Sequence, residues 1–321
     1  AGDIDGPNSE PFKIDQATPN LNKYSATRRV ARAVFMGTAP LHEQENKGLD
    51  DKQINLSVVQ PGERIANFGD ALRRLANQAK FMHGDLGRYW YSMSASLNRT
   101  AADRAGQLED ALVRVEIDKA LTSYMNGLAD RGHFDAVQVA PENSSEVPDE
   151  AGGVRAVVLG VSYPHTGRDG SDAMEEINDI YLQRGNSPRV YRNTLIFIAS
   201  EYRQLENLEL AMRSSIAWSE VVRDAENGRL DLRTSDIALA KSRAKEASDT
   251  TQTRLKEAWS YVVYPYQDTP QSDVAFASAK VPAQDGILAR ASKKLVSDGA
   301  LLPEIGPDNL NRNLTKYIWN G

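Results

Sequence analysis

Cysteine is absent from this 321-residue chain. Disulfides, cysteine–zinc sites and thiol nucleophiles are thereby excluded. Histidine is scarce, and His42, His83, His133 and His165 show no spacing that builds a metal site. No glycine-rich loop ends in Gly-Lys-Ser/Thr, so the phosphate cradle of a nucleotide-hydrolysing core is missing. Asn46-Lys47-Gly48 has the wrong order. A Gly-x-Ser-x-Gly elbow is lacking too, and the glycines of VVLGVSYPHTGRDG do not match a dinucleotide-binding fingerprint. The DIDGPN start has the flavour of a calcium loop, but its glycine is fourth and its twelfth place holds Ile14 instead of a glutamate. The longest apolar runs, AVVLGV and TLIFIA, are far too short to span a bilayer, so no membrane partner is expected. The first residues are acidic and polar, and with no cysteine the expected compartment is the cytoplasm.

What is present is ordinary for a globular chain of two or three domains: 40% hydrophobic and 26% charged residues. The charge is uneven. Between Tyr24 and Arg104 twelve Lys/Arg face eight Asp/Glu, so this stretch carries +4 while the whole chain carries −6. A locally basic module on an acidic chain is a mild nucleic-acid signal, although such excursions are common. The chain starts at Ala1 and stops just after the apolar Leu314, Ile318 and Trp319, so a piece of something larger is expected.

Residues 1–23 contain three prolines and no sustained period, which predicts an extended lead-in. Residues 24–104 predict a winged-helix-like domain. Ser25 is placed to cap a helix with Val30, Val34 and Phe35 on one face and Arg28, Arg29 and Arg32 on another. LDDKQINLSVV predicts a short second helix ended by Pro61-Gly62. Asn67–Ala79 predicts a third, burying Phe68, Ala71, Leu72, Leu75 and Ala79. Phe81-Met82, the HGDLG turn and Tyr89-Trp90-Tyr91 then predict a hairpin. Three helices followed by a hairpin is the order of a winged helix-turn-helix.

A long helix over Ala101–Leu128 is predicted next, as the core of a connecting segment 105–135. Residues 136–267 predict an α/β domain. Ala136–Ala140, Val154–Val161 and Asn193–Ser200 have strand character, and Asp172–Arg184 supplies the helix of a βαβ unit with parallel pairing. Long helices over Tyr202–Glu226 and Ser235–Ser260 predict an antiparallel hairpin, and YVVYPY a further strand. Residues 268–321 are expected to be a polar linker and an incomplete helical segment. The fold class is therefore mixed α/β and multi-domain.

No residue set supplies a catalytic site. The candidate nucleic-acid contacts are Arg64, Arg73, Arg74, Lys80 and Arg88, placed on the third helix and the wing to reach phosphates of double-stranded DNA. Arg28, Arg29 and Arg32 have the clustering of nucleotide-sensing arginines, and equally that of a solvated helix face.

Several motifs carry a resemblance. RRVARAVFMGTAP, VVQPGE, FGDALRRLA, GRYWYS and RGNSPRVYRNTLIFIAS, preceded by DIDGPNSEPFKID, occur in this order in a family of large bacterial AAA-like (AAA+) P-loop ATPases of anti-phage defence loci. Those ATPases resemble the ones of BREX/Pgl-type phage-exclusion systems. The resemblance runs from Asp3 to about Trp319. In that family the phosphate loop lies upstream of these motifs, so ATP and Mg2+ are implied for a parent protein and for no residue of this chain. The implied partners are the upstream ATPase core, other defence-system proteins and DNA. The implied role is a non-catalytic region that engages DNA or partners. The alternatives are a protein-interaction scaffold without nucleic-acid contact, or a small-molecule-binding α/β domain.

Overall fold

The computed structural model describes residues 2–38, 48–85, 87–92, 96–168, 170–230, 232, 234–269, 271–303 and 306–315. It divides into two compact units. The first comprises Ala1–Gln107 with Ile216–Ala244, and the second Leu108–Ser215 with Lys245–Gly321.

The first unit opens with helices, where an extended lead-in was expected. Helix α1 (Glu10–Ala17) begins at Ser9, whose hydroxyl accepts from the Phe12 amide, and α2 (Pro19–Asn22) follows at once. Eight and four residues are too few to display a helical period. Tertiary burial of Ile14 and Leu21 holds them instead. Helix α3 (Ala26–Thr38) buries Val30 and Val34. Its N-terminus is not capped by Ser25, which takes φ 48°. The fully buried carboxylate of Asp15 does this from α1, accepting from the amides of Thr27 (2.9 Å) and Arg28 (3.3 Å).

Strand β1 (Leu49–Asp50) precedes α4 (Asp51–Val58), which starts with a capping box between Asp50 and Gln53. Helix α5 (Ile65–Gln78) leads into the hairpin β2 (Met82–Asp85) and β3 (Arg88–Tyr91). The three strands are antiparallel in the order β1-β3-β2. One core joins these parts: Ile14, Leu21, Val34, Ile54, Phe68 and Leu75 all belong to it. Asp3 ties the lead-in to the hairpin region, its carboxylate accepting from the Phe81 amide and its carbonyl from the Tyr91 phenol at 2.7 Å. Burial, then the nearby Asp3, push that phenol far above the usual tyrosine range.

Gly48 makes the approach to β3 possible. Its φ is 63°, and a Cβ there would lie 2.8 Å from the Tyr89 carbonyl oxygen, a backbone atom that cannot swing away. Gly48→Ala is therefore expected to destabilise the first unit by about 1–3 kcal/mol, read as faster amide exchange in β3. Unchanged exchange there would refute this account of the glycine.

In place of one helix over Ala101–Leu128 there are two, α6 (Leu97–Gln107) and α7 (Asp110–Asn126). The boundary between the units falls in this break. Helix α7 buries Val113, Ile117, Leu121 and Met125, a four-residue stride, and leaves Leu112 and Val115 exposed.

The second unit is built on a five-stranded sheet of order β10-β9-β8-β5-β4. Strands β4 (Ala136–Val139), β5 (Arg155–Val158) and β8 (Leu195–Ala199) are mutually parallel. Helix α8 (Asp172–Leu182) provides the β5-to-β8 crossover, as the βαβ reading expected. Between α8 and β8 stands a small antiparallel ribbon of β6 (Gln183–Arg184) and β7 (Ser187–Pro188). All five residues of β8 are buried, and Phe197 packs with Val157, Ile177 and Ile180.

Helices α9 (Tyr202–Glu226) and α10 (Thr234–Ala258) follow, and both are partitioned between the units. Strand β9 (Tyr261–Tyr266) adds antiparallel to β8. Residues 275–280, expected to be linker, form the edge strand β10 (Ala275–Lys280) on β9. AFASAK has no β-branched residue, and register with β9 supplies what intrinsic propensity lacks. Helices α11 (Ile287–Ser297) and α12 (Pro307–Leu314) complete the described chain. Leu314 lies in α12, whereas Ile318 and Trp319 lie outside the described residues. None of the described helices is long and apolar enough to cross a membrane.

Candidate nucleic-acid interface

Helix α5 sets the geometry. Phe68, Ala71, Leu72 and Leu75 fill its inner face, which turns Arg73 and Arg74 outward with side chains 75% and 47% exposed. Asp70 stands one turn earlier and meets both, at 3.5 Å from Arg73 and 2.9 Å from Arg74. Exposed pairs of this kind are worth little and break readily when a phosphate competes. Arg64 is the exposed N-cap residue of α5, and Lys80 lies just beyond its end, over the Phe81 ring at 5.5 Å. At 1.5 Å per residue these two ends are roughly 24 Å apart, so they would meet different phosphates.

Arg88 is differently employed. It donates to the Gly48 carbonyl at 2.8 Å and lies 4.0 Å from Asp50, so it helps to hold β1 against the hairpin. The ring of Trp90 stacks on His83 across the hairpin with centroids 5.8 Å apart.

Arg28, Arg29 and Arg32 are all engaged within the first unit. Arg28 reaches Asp15 (3.4 Å) and the Ser25 hydroxyl (2.6 Å). Arg29 pairs with Glu63 at 2.7 Å, donates to the Val58 carbonyl and covers the Phe68 ring. Arg32 pairs with Asp5. Arg29 and Arg32 also line a cleft of about 630 Å3 with Met36, Leu49, Gln53 and Val59. The structure thus gives these arginines ion-pair partners that the sequence did not reveal, and Asp15 is the most consequential of them.

In the second unit the carboxyl ends of β5 and β8 were the place to look for a ligand. The strands lie in space in chain order, so the reversal that opens a crevice in doubly wound sheets is missing. The ends are occupied by buried Pro164 and His165. His165 Nδ1 accepts from the Gly167 amide at 2.9 Å, which leaves the proton on Nε2. That nitrogen lies 2.9 Å from Ser278 Oγ and donates to it, with the ring stacked on Tyr261. An imidazole in this tautomer cannot take the serine proton, and the pair lacks the arrangement of an activated nucleophile. Asp118, from α7, accepts from the Val161 amide at 2.8 Å, and burial still raises its pKa above the ordinary range. Among the described residues no group of three or more His, Asp or Glu could hold a metal ion.

Sequence reasoning also missed Arg189, Asp149 and the ribbon they support. The local trace is three arginines around Gly-Asn-Ser-Pro, with no acidic residue from Leu182 to Thr194, and it does not tell which of the three is buried. No family model matches the chain, and neither a curated protein nor a solved structure matches it.

Proposed function

We propose that the first unit contains a winged helix-turn-helix that engages double-stranded DNA. On this reading it is an accessory module of an ATPase motor of the AAA-like kind that its motifs resemble. The observation that carries the proposal is the order α3-β1-α4-α5-β2-β3 with strands arranged β1-β3-β2. On this reading α5 is the helix offered to a groove and β2–β3 is the wing. Arg64, Arg73, Arg74 and Lys80 then meet phosphates, and Arg88 stiffens the wing as well as contributing charge. ATP and Mg2+ belong to a motor outside these residues, and defence-system proteins are its proposed companions.

Fluorescence anisotropy on a labelled duplex tests the reading. With five phosphate contacts, log affinity should fall with log salt at a slope of about −4.5. Replacing Arg73 and Arg74 together by serine should weaken binding roughly tenfold and make the slope shallower by about 2, without changing thermal stability. Absence of salt-sensitive binding at low ionic strength sinks the DNA reading.

A second reading, a protein-docking module, rests on the exposure of Met36 (72%), Leu56 (88%) and Ile65 (61%) in the same unit. It requires binding to survive the double serine variant and to fail on Leu56→Asp.

A further inference from the structure

We propose that the β6–β7 ribbon and the Val190–Tyr191 corner after it form a preorganised docking knob for a protein partner. That partner would present an apolar pocket with a carboxylate-bearing rim. The proposal concerns the second unit and does not depend on duplex binding by the first.

Three aliphatic or aromatic side chains are exposed at this corner: Val190 at 75%, Tyr191 at 40% and Leu182 at 39%. Leu182 and the corner are tied by the Arg189 amide, which donates to the Leu182 carbonyl at 2.9 Å. A connection whose only task was to join α8 to β8 could be polar and loose. This one is tightly held. The amides of Val190 and Tyr191 both donate to the Asp149 carboxylate at 2.8 Å. Directly beneath, the buried Arg189 guanidinium donates to the carbonyls of Ile180 (2.6 Å), Pro148 (2.9 Å) and Val147 (3.1 Å). It also meets those of Ser144 and Gln183 at 3.3 Å each. On the far side Thr194 Oγ1 donates to the Tyr191 carbonyl at 2.9 Å. The backbone that exposes Val190 is thus held from below and from both sides, so little conformational entropy remains to be lost on binding.

Charge identifies the partner's rim. Arg184 is exposed and Arg192 lies over the Tyr181 ring, and among the described residues neither has a carboxylate within ion-pair distance. Asp149 is occupied by the two amides, and the neighbouring Glu150 faces Arg155 at 3.2 Å. Arg192 Nε also donates to the Arg189 carbonyl at 3.0 Å, and Arg184 lies near enough to Asp149 to lower its pKa, so the segment that exposes Leu182, Val190 and Tyr191 carries a net positive charge, which suits a partner whose apolar contact is edged by carboxylates. Nucleic acid is the less fitting occupant, because phosphates gain nothing from Leu182 and Val190.

A random-peptide display library selected on the full chain tests this, with counter-selection on the Val190→Ser/Tyr191→Ser variant. Those side chains are exposed, so the variant should melt with wild-type Tm. The expected consensus pairs a large apolar residue with Asp or Glu. Its synthetic peptide, measured by calorimetry, should lose about tenfold in affinity on Val190→Ser and about threefold on Arg184→Ser with Arg192→Ser. Asp149→Ala, which loosens the corner but leaves its outward side chains in place, should cost about threefold or more. Recovery of no peptide that distinguishes wild type from the counter-selection variant overturns the proposal, as does a consensus without carboxylates. Unchanged affinity in Asp149→Ala overturns the claim of preorganisation. If a DNA duplex instead loses affinity on the two arginine substitutions and not on Val190→Ser, the ribbon contacts nucleic acid and the protein partner is wrong.

Discussion

Replacing Arg189 by methionine is expected to lower the stability of the α/β unit by about 3–5 kcal/mol. Methionine fills much of the arginine's volume and avoids the cost of burying a cation, so the substitution tests hydrogen bonding more than packing. The outcome turns on what the guanidinium leaves behind. Its partners are five backbone carbonyls, those of Ser144, Val147, Pro148, Ile180 and Gln183, and none can be removed by mutation. Arg189 itself is only 2% exposed, and its bonds to the carbonyls of Ile180, Ser144 and Val147 are buried, so those three oxygens lose their donor out of reach of bulk water while the local fold stays closed. A buried ion pair can be replaced neutrally when both partners go; here only one can. Lysine keeps the charge but carries three donors on one nitrogen, so about half of the loss should remain. Native-state hydrogen exchange at the amides of Val157 and Phe197 measures the opening free energy of the sheet. A loss below about 1 kcal/mol would show that the carbonyls find other partners and that Arg189 is a passenger.

The contrast between Arg189 and α5 shows what the sequence could and could not disclose. The stripe Phe68, Ala71, Leu72, Leu75 is read directly, because helical periodicity records burial against one face. The paired runs around Gly87 announce the hairpin, and the continuous apolar run of β8 announces a strand buried on both sides. Those signals are local. Arg189 lies 41 residues from Pro148 and 45 from Ser144, and nothing near it in the chain distinguishes it from the exposed Arg184. The same holds for the lead-in, whose helices exist because Ile14 and Leu21 are buried by segments that follow them. In α7 the apolar residues do not mark one face: Leu112 and Val115 are apolar yet exposed, and Val113 and Ile117 carry the core. Apolar residues outnumbered the positions needed, and only the packing partner chose among them.

The candidate interface has the same limit. Its cations were visible, but their degree of commitment was not. Arg73 and Arg74 share one half-buried carboxylate and keep their own side chains open to a polyanion, whereas Arg88 is partly committed to the Gly48 carbonyl. Substituting Arg88 therefore mixes lost charge with a loosened β2–β3 hairpin, and only the α5 pair gives a clean test of the proposed phosphate contact.

Asp15→Ala should destabilise the first unit by about 2–4 kcal/mol, the second large effect. Its carboxylate is fully buried and accepts from the amides of Thr27 and Arg28 and from the Arg28 side chain. An ordinary N-cap lies in the residue just before its helix, and its loss costs about 1 kcal/mol because water replaces it. Asp15 lies at the end of another helix, 12 residues away from Thr27, and its removal leaves the buried Thr27 amide and the part-buried Arg28 amide without their acceptor. Arg28 also loses its carboxylate, although its side chain is 28% exposed and can turn toward solvent. The discriminating variant is Asp15→Asn. The new side-chain amide keeps one acceptor oxygen but turns an NH2 group toward amide donors, so it should recover no more than about half of the loss. Exchange at the amides of Val30 and Val34 reports the stability of α3. Duplex affinity measured well below the melting temperature should stay within about twofold of wild type, because neither variant touches α5's outward face. A fall in affinity with α3 still protected would mean that Asp15 and Arg28 serve the ligand as well as the helix cap, and the division between supporting and contacting arginines would have to be redrawn.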